Sequence, residues 1–182
     1  MEKKDNTTVS SCSFAGVKPI MMDLPYPPIC VKEKNEAFAN LLSIDYGGAV
    51  SEMSAITQYI CGENVLCIDH CSVAQVILGI AMAEMIHLQK LGQLICLLGG
   101  DVDFIARYRN GRRKLWTPEY IKISNNVENI VSSNIDSEKD AINQYKMHIH
   151  MMNDENVIAV LERIIKDEEY HIMILRALLE NV

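Results

Sequence analysis

The C-x-x-C motif is missing from this chain, although the chain has six cysteines. Four-cysteine iron sites and zinc ribbons need such pairs, so the sequence excludes both kinds of site. We expect buried thiols in a reducing compartment, and only Cys67 and Cys71, four residues apart, merit a test for redox or metal chemistry. The full set of cysteines is Cys12, Cys30, Cys61, Cys67, Cys71 and Cys96.

Positive charge is also scarce. Seventeen Lys and Arg residues stand against 24 Asp and Glu residues, which gives a formal net charge of −7. Such a chain has no basic field to attract a phosphate backbone. Its one basic run, residues 107–114, is predicted to be a solvated loop. The composition therefore argues against a nucleic acid partner.

Long apolar runs are missing as well. No segment reaches the ~18 uninterrupted apolar residues that a membrane-spanning helix requires. The N-terminal stretch MEKKDNTTVSSCSF has no apolar region behind its lysines, unlike a secretion signal. We predict a cytoplasmic protein with no membrane partner, and the hydrophobic content of 49% predicts one globular domain.

Proline is confined almost entirely to one region, since four of the five prolines lie between positions 19 and 28. These prolines forbid regular helix and favour extended backbone in LPYPPIC. We predict that residues 1–34 form an N-terminal extension, an extended strap over the domain formed by residues 35–182.

Helical periodicity dominates the remaining chain, where apolar residues recur at steps of three and four. We predict helix A from Asn35 to Gly62, helix B from Cys71 to Gly99, helix C from position 125 or 137 to 152, and helix D from Asn153 or Asp154 to Leu179. The Gly47-Gly48 pair indicates a kink or a close contact within helix A. Two helical hairpins joined by a long connection predict an all-α fold, a four-helix bundle with one crossover.

The two predicted hairpins repeat one another. The motif E-x-x-A-I-x-Q-Y occurs at residues 52–59 and again at residues 138–145. In each hairpin, E-x-x-H follows about thirty residues later, at Glu84 and His87 and at Glu168 and His171. A spacing of three puts Glu and His on one helix face, so each half supplies one side of a nearly symmetric site.

Four carboxylates and two imidazoles in a bundle core are the ligand set of a dinuclear iron or manganese site. Two divalent ions also balance the four negative charges, whose burial without cations would cost several kcal/mol per ion. A single E-x-x-H would more simply be a pair of exposed residues on an amphipathic helix, but the duplication favours metal. The predicted ligands are Glu52, Glu84, His87, Glu138, Glu168 and His171.

These motifs resemble those of the ferritin-like superfamily, specifically rubrerythrin and the manganese-catalase-like proteins, over residues 35–182. The resemblance implies a ferritin-like bundle, and it implies that the six residues bind the metals. In manganese catalases one glutamate stands off the metal, and Glu168 is the first candidate for that here. Asp167 resembles the aspartate of D-E-x-x-H motifs that orients the histidine of the opposite motif, here His87. Its counterpart in the other hairpin is Ala83, which leaves His171 without a carboxylate partner.

Tyr59 and Tyr145 each lie seven residues after a predicted glutamate ligand. We predict that their phenols hydrogen-bond a ligand carboxylate or quench a stray oxidant, although either could simply be a core tyrosine with another acceptor. The other histidines belong to no repeated pattern and are expected to be exposed or at helix ends; they are His70, His148 and His150.

The sequence also departs from the rubrerythrin pattern. Rubrerythrins usually carry an extra glutamate three residues after the ligand of the third helix, and Ala141 stands there in this chain. The cysteine pairs of a rubredoxin domain are missing too. Both departures favour a self-contained catalase cycle, or a peroxidase fed by an external electron donor.

We therefore predict an oxidoreductase with two iron or two manganese ions that acts on hydrogen peroxide or dioxygen. Two alternatives remain open: an iron oxidation and storage protein, and a structural protein that its metal merely stabilises. The ligand set does not separate iron from manganese. We also expect a homo-oligomer, a dimer or larger.

Overall fold

The computed structural model describes residues 12–181, and this part of the chain contains five α-helices. They are α1 (Glu36–Gly47), α2 (Glu52–Leu66), α3 (Cys71–Leu98), α4 (Val127–His150) and α5 (Glu155–Leu179). Helices α1 and α2 follow one another as the first arm of the bundle, α3 is the second arm, and α4 and α5 form the other hairpin. The predicted all-α four-helix bundle is confirmed.

Helix A is not continuous as predicted, because the chain leaves the helix between α1 and α2. Gly48 ends α1 with its N–H on the carbonyl of Ile44 at 2.8 Å, and Ser51 begins α2 by capping Ser54. A Cβ on Gly47 would lie 2.9 Å from the Cα of Phe104. The glycine pair therefore marks a complete break where a kink was predicted, and it also marks a close backbone contact.

The other helix boundaries follow their sequence signals, except that α2 continues past the predicted end of helix A at Gly62 to Leu66. Helix α4 starts at Val127, capped by Asn126, so the earlier of the two predicted starts is correct. Helix α3 ends at Gly99, whose φ of 89° is a left-handed conformation that suits glycine. Asp154 caps α5 by accepting the N–H of Asn156.

The crossover contains a small antiparallel hairpin that the sequence did not predict. Its strands are β1 (Ile105–Arg107) and β2 (Arg113–Leu115), with Ile105 paired to Leu115. The basic run is therefore not a loop throughout, and the Arg107 guanidinium pairs with Asp103 at 2.7 Å. Thr117 caps a single 3-10 turn, Pro118–Tyr120.

Two buried apolar clusters fill the described part of the bundle, one at each end. One contains the C-terminal half of α3 and the first half of α5, including Leu91 and Ile164. The other contains the first half of α3 and the end of α5, including Ile77 and Leu175. The acidic and histidine residues of the duplicated motifs lie between them, so apolar packing closes their layer from above and below.

Helix α3 is, among residues 12–181, the one helix that is long and apolar enough to span a membrane by length and composition. Half of its most apolar 18-residue window is buried within the fold. It also carries the buried Glu84 and His87. Its hydropathy is therefore that of the central helix of a bundle.

The described part of the predicted extension, residues 12–34, contains no helix or strand and is called the strap. Residues 1–11 lie outside the described residues. The strap begins at a disulfide between Cys12 and Cys71, the first residue of α3. The prediction of reduced thiols is thus wrong for these two cysteines, and Cys71 pairs across 59 residues rather than with Cys67, which lies in the turn between α2 and α3.

Candidate metal centre

The six side chains predicted as metal ligands meet in one buried layer. Glu52 comes from α2, Glu138 from α4, and the two E-x-x-H motifs from α3 and α5. Each helix turns the relevant face inward because its neighbouring positions carry the apolar core. The exposed fractions are 3% for Glu52, 1% for Glu84, 0% for His87, 2% for Glu138, 1% for Glu168 and 0% for His171.

Within the described residues, these side chains form two overlapping groups, each able to surround one ion. One group contains Glu52 and His87, and the other contains Glu138 and His171; both groups share Glu84 and Glu168. In each group, one potential ligand atom per residue lies within 4.8 Å of all the others. Glu168 thus stands at the centre of the cluster. This position argues against the expectation that Glu168 is the first candidate for a glutamate that does not bind metal.

Both histidine rings turn the same nitrogen toward the carboxylates. His87 Nδ1 lies 2.9 Å from Glu84 Oε2 and 3.3 Å from Glu168 Oε1. His171 Nδ1 lies 3.0 Å from an oxygen of each of the same two glutamates. Nδ1 is therefore the atom of each ring that faces the position of an ion, while Nε2 points outward.

The electrostatics of the cluster favour added positive charge. Burial raises the pKa of Glu52 and Glu138 well above the usual carboxyl value, and Glu84 adds to the rise. Burial by itself lowers the pKa of His87 and His171, but the carboxylates around them outweigh it and raise their pKa well above the usual imidazole value. The two histidines therefore stay protonated and positively charged unless another cation takes the place of their protons.

The donor set fits two divalent ions. Glu84 Oε1 is fully buried and has no hydrogen-bond partner among residues 12–181; His171 Nδ1 is close to it but is not aligned for a hydrogen bond. An orphaned carboxylate oxygen at the centre of a cluster is costly in a protein interior, and a metal ion removes that cost. Carboxylate and imidazole ligands together suit iron and manganese.

The two predicted tyrosines contact ligand carboxylates, but each one crosses to the other hairpin. The hydroxyl of Tyr59 donates to Glu138, and the hydroxyl of Tyr145 donates to Glu52. Burial raises the pKa of both phenols well above the usual value, and the neighbouring carboxylates raise it further. The duplicated Tyr therefore ties α2 to α4 at the glutamates.

Asp167 lies beside the outward nitrogen of His87, with 3.2 Å between Oδ2 and Nε2. Burial raises the pKa of Asp167, but hydrogen bonds from His87, Arg163 and the Met22 backbone outweigh it and lower the pKa to about 2. The corresponding nitrogen of His171 instead contacts the backbone carbonyl of Ile20 at 2.8 Å. The strap therefore supplies partners that sequence reasoning missed.

A second buried polar group also escaped the sequence reasoning. His148 lies in the last turn of α4, as its predicted helix-end position requires, but it is buried, with its Nδ1 2.8 Å from Asp45 Oδ2. Gln144 of the second motif donates to the other oxygen of Asp45 at 2.8 Å. The matching Gln58 donates to Asn134 at 2.9 Å. The duplicated Gln thus joins the first arm of the bundle to α4, which explains its repetition.

A cavity of about 230 Å³ extends from the surface to the carboxylates, between α2 and α4. Exposed Lys122 and Asp140 line its outer part, and all four glutamates of the cluster line its inner part. Ala55 and Ala141, which occupy the same position in the two copies of the motif, line its wall. Their small side chains leave room for a small molecule to reach the cluster.

The chain is similar to known proteins over most of its length. A family model described as rubrerythrin matches residues 49–179. A curated relative, the probable manganese catalase of Clostridium acetobutylicum, is 24% identical in an alignment 169 residues long that covers 84% of this chain and 74% of that protein.

Solved structures with a similar fold include KatB, a manganese catalase from Anabaena, with a TM-score of 0.75 and 24% identity over 87% of this chain and 78% of that one. Bacterioferritin BfrA from Mycobacterium tuberculosis has a TM-score of 0.65 and 24% identity over 82% of this chain and 87% of that one. At these identities the two structures confirm the predicted ferritin-like fold.

Proposed function

The chain belongs to the rubrerythrin family, and from this premise we propose that it is a dinuclear iron or manganese oxidoreductase that consumes hydrogen peroxide. The observation that carries the proposal is the pair of buried ligand groups sharing Glu84 and Glu168, at the inner end of a cavity. The probable manganese catalase among its relatives supports peroxide over dioxygen as the substrate. A cytoplasmic location and a dimeric or larger assembly remain predictions.

In this proposal Glu84 and Glu168 would contribute carboxylate oxygens to both metal positions. Glu52 and His87 complete one position, and Glu138 and His171 complete the other. A bound metal pair would supply two-electron redox chemistry, in which one peroxide is reduced to water and a second is oxidised to O₂, so that no external reductant is consumed. The residues of the chain hold these ions, exclude bulk water and admit peroxide through the cavity.

The two tyrosines have supporting roles in this proposal. Tyr59 and Tyr145 donate hydrogen bonds to the terminal carboxylates Glu138 and Glu52, which orients these side chains and disperses part of their charge. Both phenols lie close enough to the centre to reduce a stray oxidant before it damages the core.

Elemental analysis of protein purified without added metal would identify the ion, because iron and manganese both accept these ligands.

The test of the function is the fate of peroxide. We expect the metal-loaded protein to evolve one O₂ for every two H₂O₂ consumed without any reductant, measured with an oxygen electrode. Turnover that requires an added reductant would indicate a peroxidase instead. Slow uptake of many irons per chain without peroxide consumption would contradict the proposal and support storage.

The cavity gives a separate prediction. Ala141→Leu adds bulk to the wall beside Glu138 and removes no ligand, so peroxide turnover should fall about tenfold or more while metal content stays at the wild-type value. The two quantities are measured by oxygen evolution and by elemental analysis of the same sample. The matched control is Ala177→Leu on the exposed surface of α5, which should leave both unchanged. Unaltered turnover in Ala141→Leu would show that peroxide reaches the centre by another route.

A further inference from the structure

The strap passes the outer side of both histidines. The Ile20 carbonyl lies 2.8 Å from Nε2 of His171. Two residues later, the Met22 N–H donates to Asp167 Oδ1 at 2.8 Å, while Oδ2 of the same carboxylate lies 3.2 Å from Nε2 of His87. One three-residue stretch therefore touches one imidazole directly and the other through a single carboxylate.

These contacts require a proton on Nε2 of each ring. A carbonyl oxygen and a carboxylate oxygen only accept hydrogen bonds, so Nε2 must donate in both rings. When an ion takes the place of the proton on Nδ1, each ring is neutral and presents the lone pair of Nδ1 to the carboxylate layer, where the ion is expected. A ring without its outer partner could rotate or change tautomer, and its affinity for metal would fall.

The partners of the two rings differ in charge. His87 donates to the anionic Asp167, whereas His171 donates to a neutral backbone carbonyl, and the position that matches Asp167 in the other hairpin is Ala83. A carboxylate partner raises the basicity of an imidazole more than a carbonyl does. The Glu138 and His171 position therefore depends on the strap itself for its outer hydrogen bond.

The strap is held against α3 at the residue that matters. The Ile20 N–H donates to the carbonyl of Gly79 at 2.9 Å. A Cβ on Gly79 would lie 2.8 Å from the side chain of Ile20 and 3.0 Å from the carbonyl oxygen of Lys18. A larger side chain at position 79 would press on the Lys18 carbonyl and on the Ile20 side chain, so glycine here favours the close approach of the strap to α3.

Arg163 holds the next part of the strap. Its buried guanidinium donates to the carbonyls of Met22 at 2.8 Å and Leu24 at 2.9 Å, and it pairs with Asp167 at 2.6 Å. It also stacks on the ring of Tyr26, whose hydroxyl donates to Asp167 at 2.8 Å. The buried cation therefore joins the strap to the carboxylate beside His87.

Both ends of the strap are also fixed. The disulfide joins Cys12 to the start of α3, and the backbone N–H of Lys32 donates to Asp154 at 2.7 Å, at the start of α5. A segment without secondary structure is thus attached at its beginning, middle and end. Attachment at three points fixes the path of the strap more closely than covering the core requires.

We propose that the strap is a positioning element of the metal centre: its Ile20 carbonyl holds His171 in the orientation that binds metal, and so sets the affinity of the Glu138 and His171 position. The inference rests on the proposed dinuclear centre but not on its reaction with peroxide. The strap lies outside residues 49–179, so the family match by itself does not predict this role.

The experiment measures the two positions one at a time. Glu52→Ala leaves the position of Glu138 and His171 as the intact one, and Glu138→Ala leaves the position of Glu52 and His87. Each variant is titrated with Mn²⁺ by equilibrium dialysis, with and without Gly79→Leu, which displaces the strap from α3 locally, at Lys18 and Ile20. In the Glu52→Ala background, Gly79→Leu should raise the Kd for Mn²⁺ about 10- to 100-fold. In the Glu138→Ala background the rise should be under about threefold, because Asp167 keeps its bonds to Tyr26 and Arg163.

Two further variants separate positioning from general damage. Gly92→Leu, in the same helix but away from the strap, should change neither affinity; a Cβ there meets only a side-chain atom of Tyr46, at 3.3 Å, and of Val102, at 3.7 Å. Tyr26→Phe removes only the hydroxyl that donates a hydrogen bond to Asp167, so it should weaken the position of Glu52 and His87 more than the position of Glu138 and His171. It should weaken Mn²⁺ binding up to about tenfold in the Glu138→Ala background and have little effect in the other.

The outcomes distinguish the two proposals. If Glu52→Ala and Glu138→Ala each bind one Mn²⁺ but Gly79→Leu affects both backgrounds equally or neither, the role of the strap is refuted and the centre stands. If each of these variants still binds two Mn²⁺ ions, the proposed ligand assignment fails, and the strap inference fails with it. Opposite selectivity of Gly79→Leu and Tyr26→Phe supports the inference, since loss of folding would weaken both positions together.

Discussion

Replacing Glu84 with alanine should remove both metal ions from the protein. The carboxylate of Glu84 belongs to both ligand groups, so its loss takes one ligand from each ion at once. Elemental analysis of protein purified without added metal should fall from about two ions per chain to near zero. Peroxide turnover should fall to background with it.

The same reasoning applies to Glu168, and it separates the geometry of the cluster from the sequence resemblance. If Glu168 lies between the ions, Glu168→Ala should lose both; if it stands off the metal, the variant should keep about two. Glu52→Ala and Glu138→Ala should each lose one ion, because each residue belongs to one group. The control is Glu169→Ala, an exposed neighbour on α5 that pairs with Lys146. A variant of Glu138 with wild-type metal content would remove that residue from the centre.

Removing the metals from the wild-type protein with a chelator should lower the Tm by about 10 °C. Two ions, each present at about thirty times its Kd, together stabilise the folded state by about 4 kcal/mol, since they bind the assembled cluster and not the unfolded chain. For a domain of this size, each kcal/mol shifts the Tm by about 2–4 °C. Differential scanning calorimetry of chelated and metal-loaded samples measures the change.

Glu52→Gln provides the matched comparison for this stability effect. It keeps the shape of the side chain and an acceptor for Tyr145, but it cannot give a negative charge to an ion. Its metal-dependent rise in Tm should be about half that of the wild type, because one position is lost. An equal rise in both proteins would mean that Glu52 binds no metal, and no rise in the wild type would mean that the cluster is not a metal site.

The helices could be predicted from the sequence, and so could the six side chains that meet in the polar layer, because both depend on local spacing. Glu84 and His87 share a helix face at a spacing of three whatever the rest of the chain does. The same holds for Glu168 and His171, and the repeated motif identified the partner helices. Even the end of α3 at Gly99 followed from a local signal, a residue free to adopt positive φ.

Local spacing was not sufficient where the backbone left the regular pattern. The break at Gly48 and the hairpin formed by β1 and β2 depend on each other, since the backbone of Phe104 packs against Gly47. Cys71 stands four residues after Cys67 in the sequence, but its bonding partner is Cys12, 59 residues away. Periodicity within a helix carries no information about such a partner.

By itself, the sequence determined the bundle and the six side chains of its polar layer, because helical period, capping and burial of apolar faces act over a few residues. Tertiary structure alone decided that Tyr59 reaches Glu138 and that the carbonyl of Ile20 reaches His171 across 151 residues. A backbone carbonyl is the same in every residue, so its use as a hydrogen-bond partner leaves no mark in the order of the amino acids.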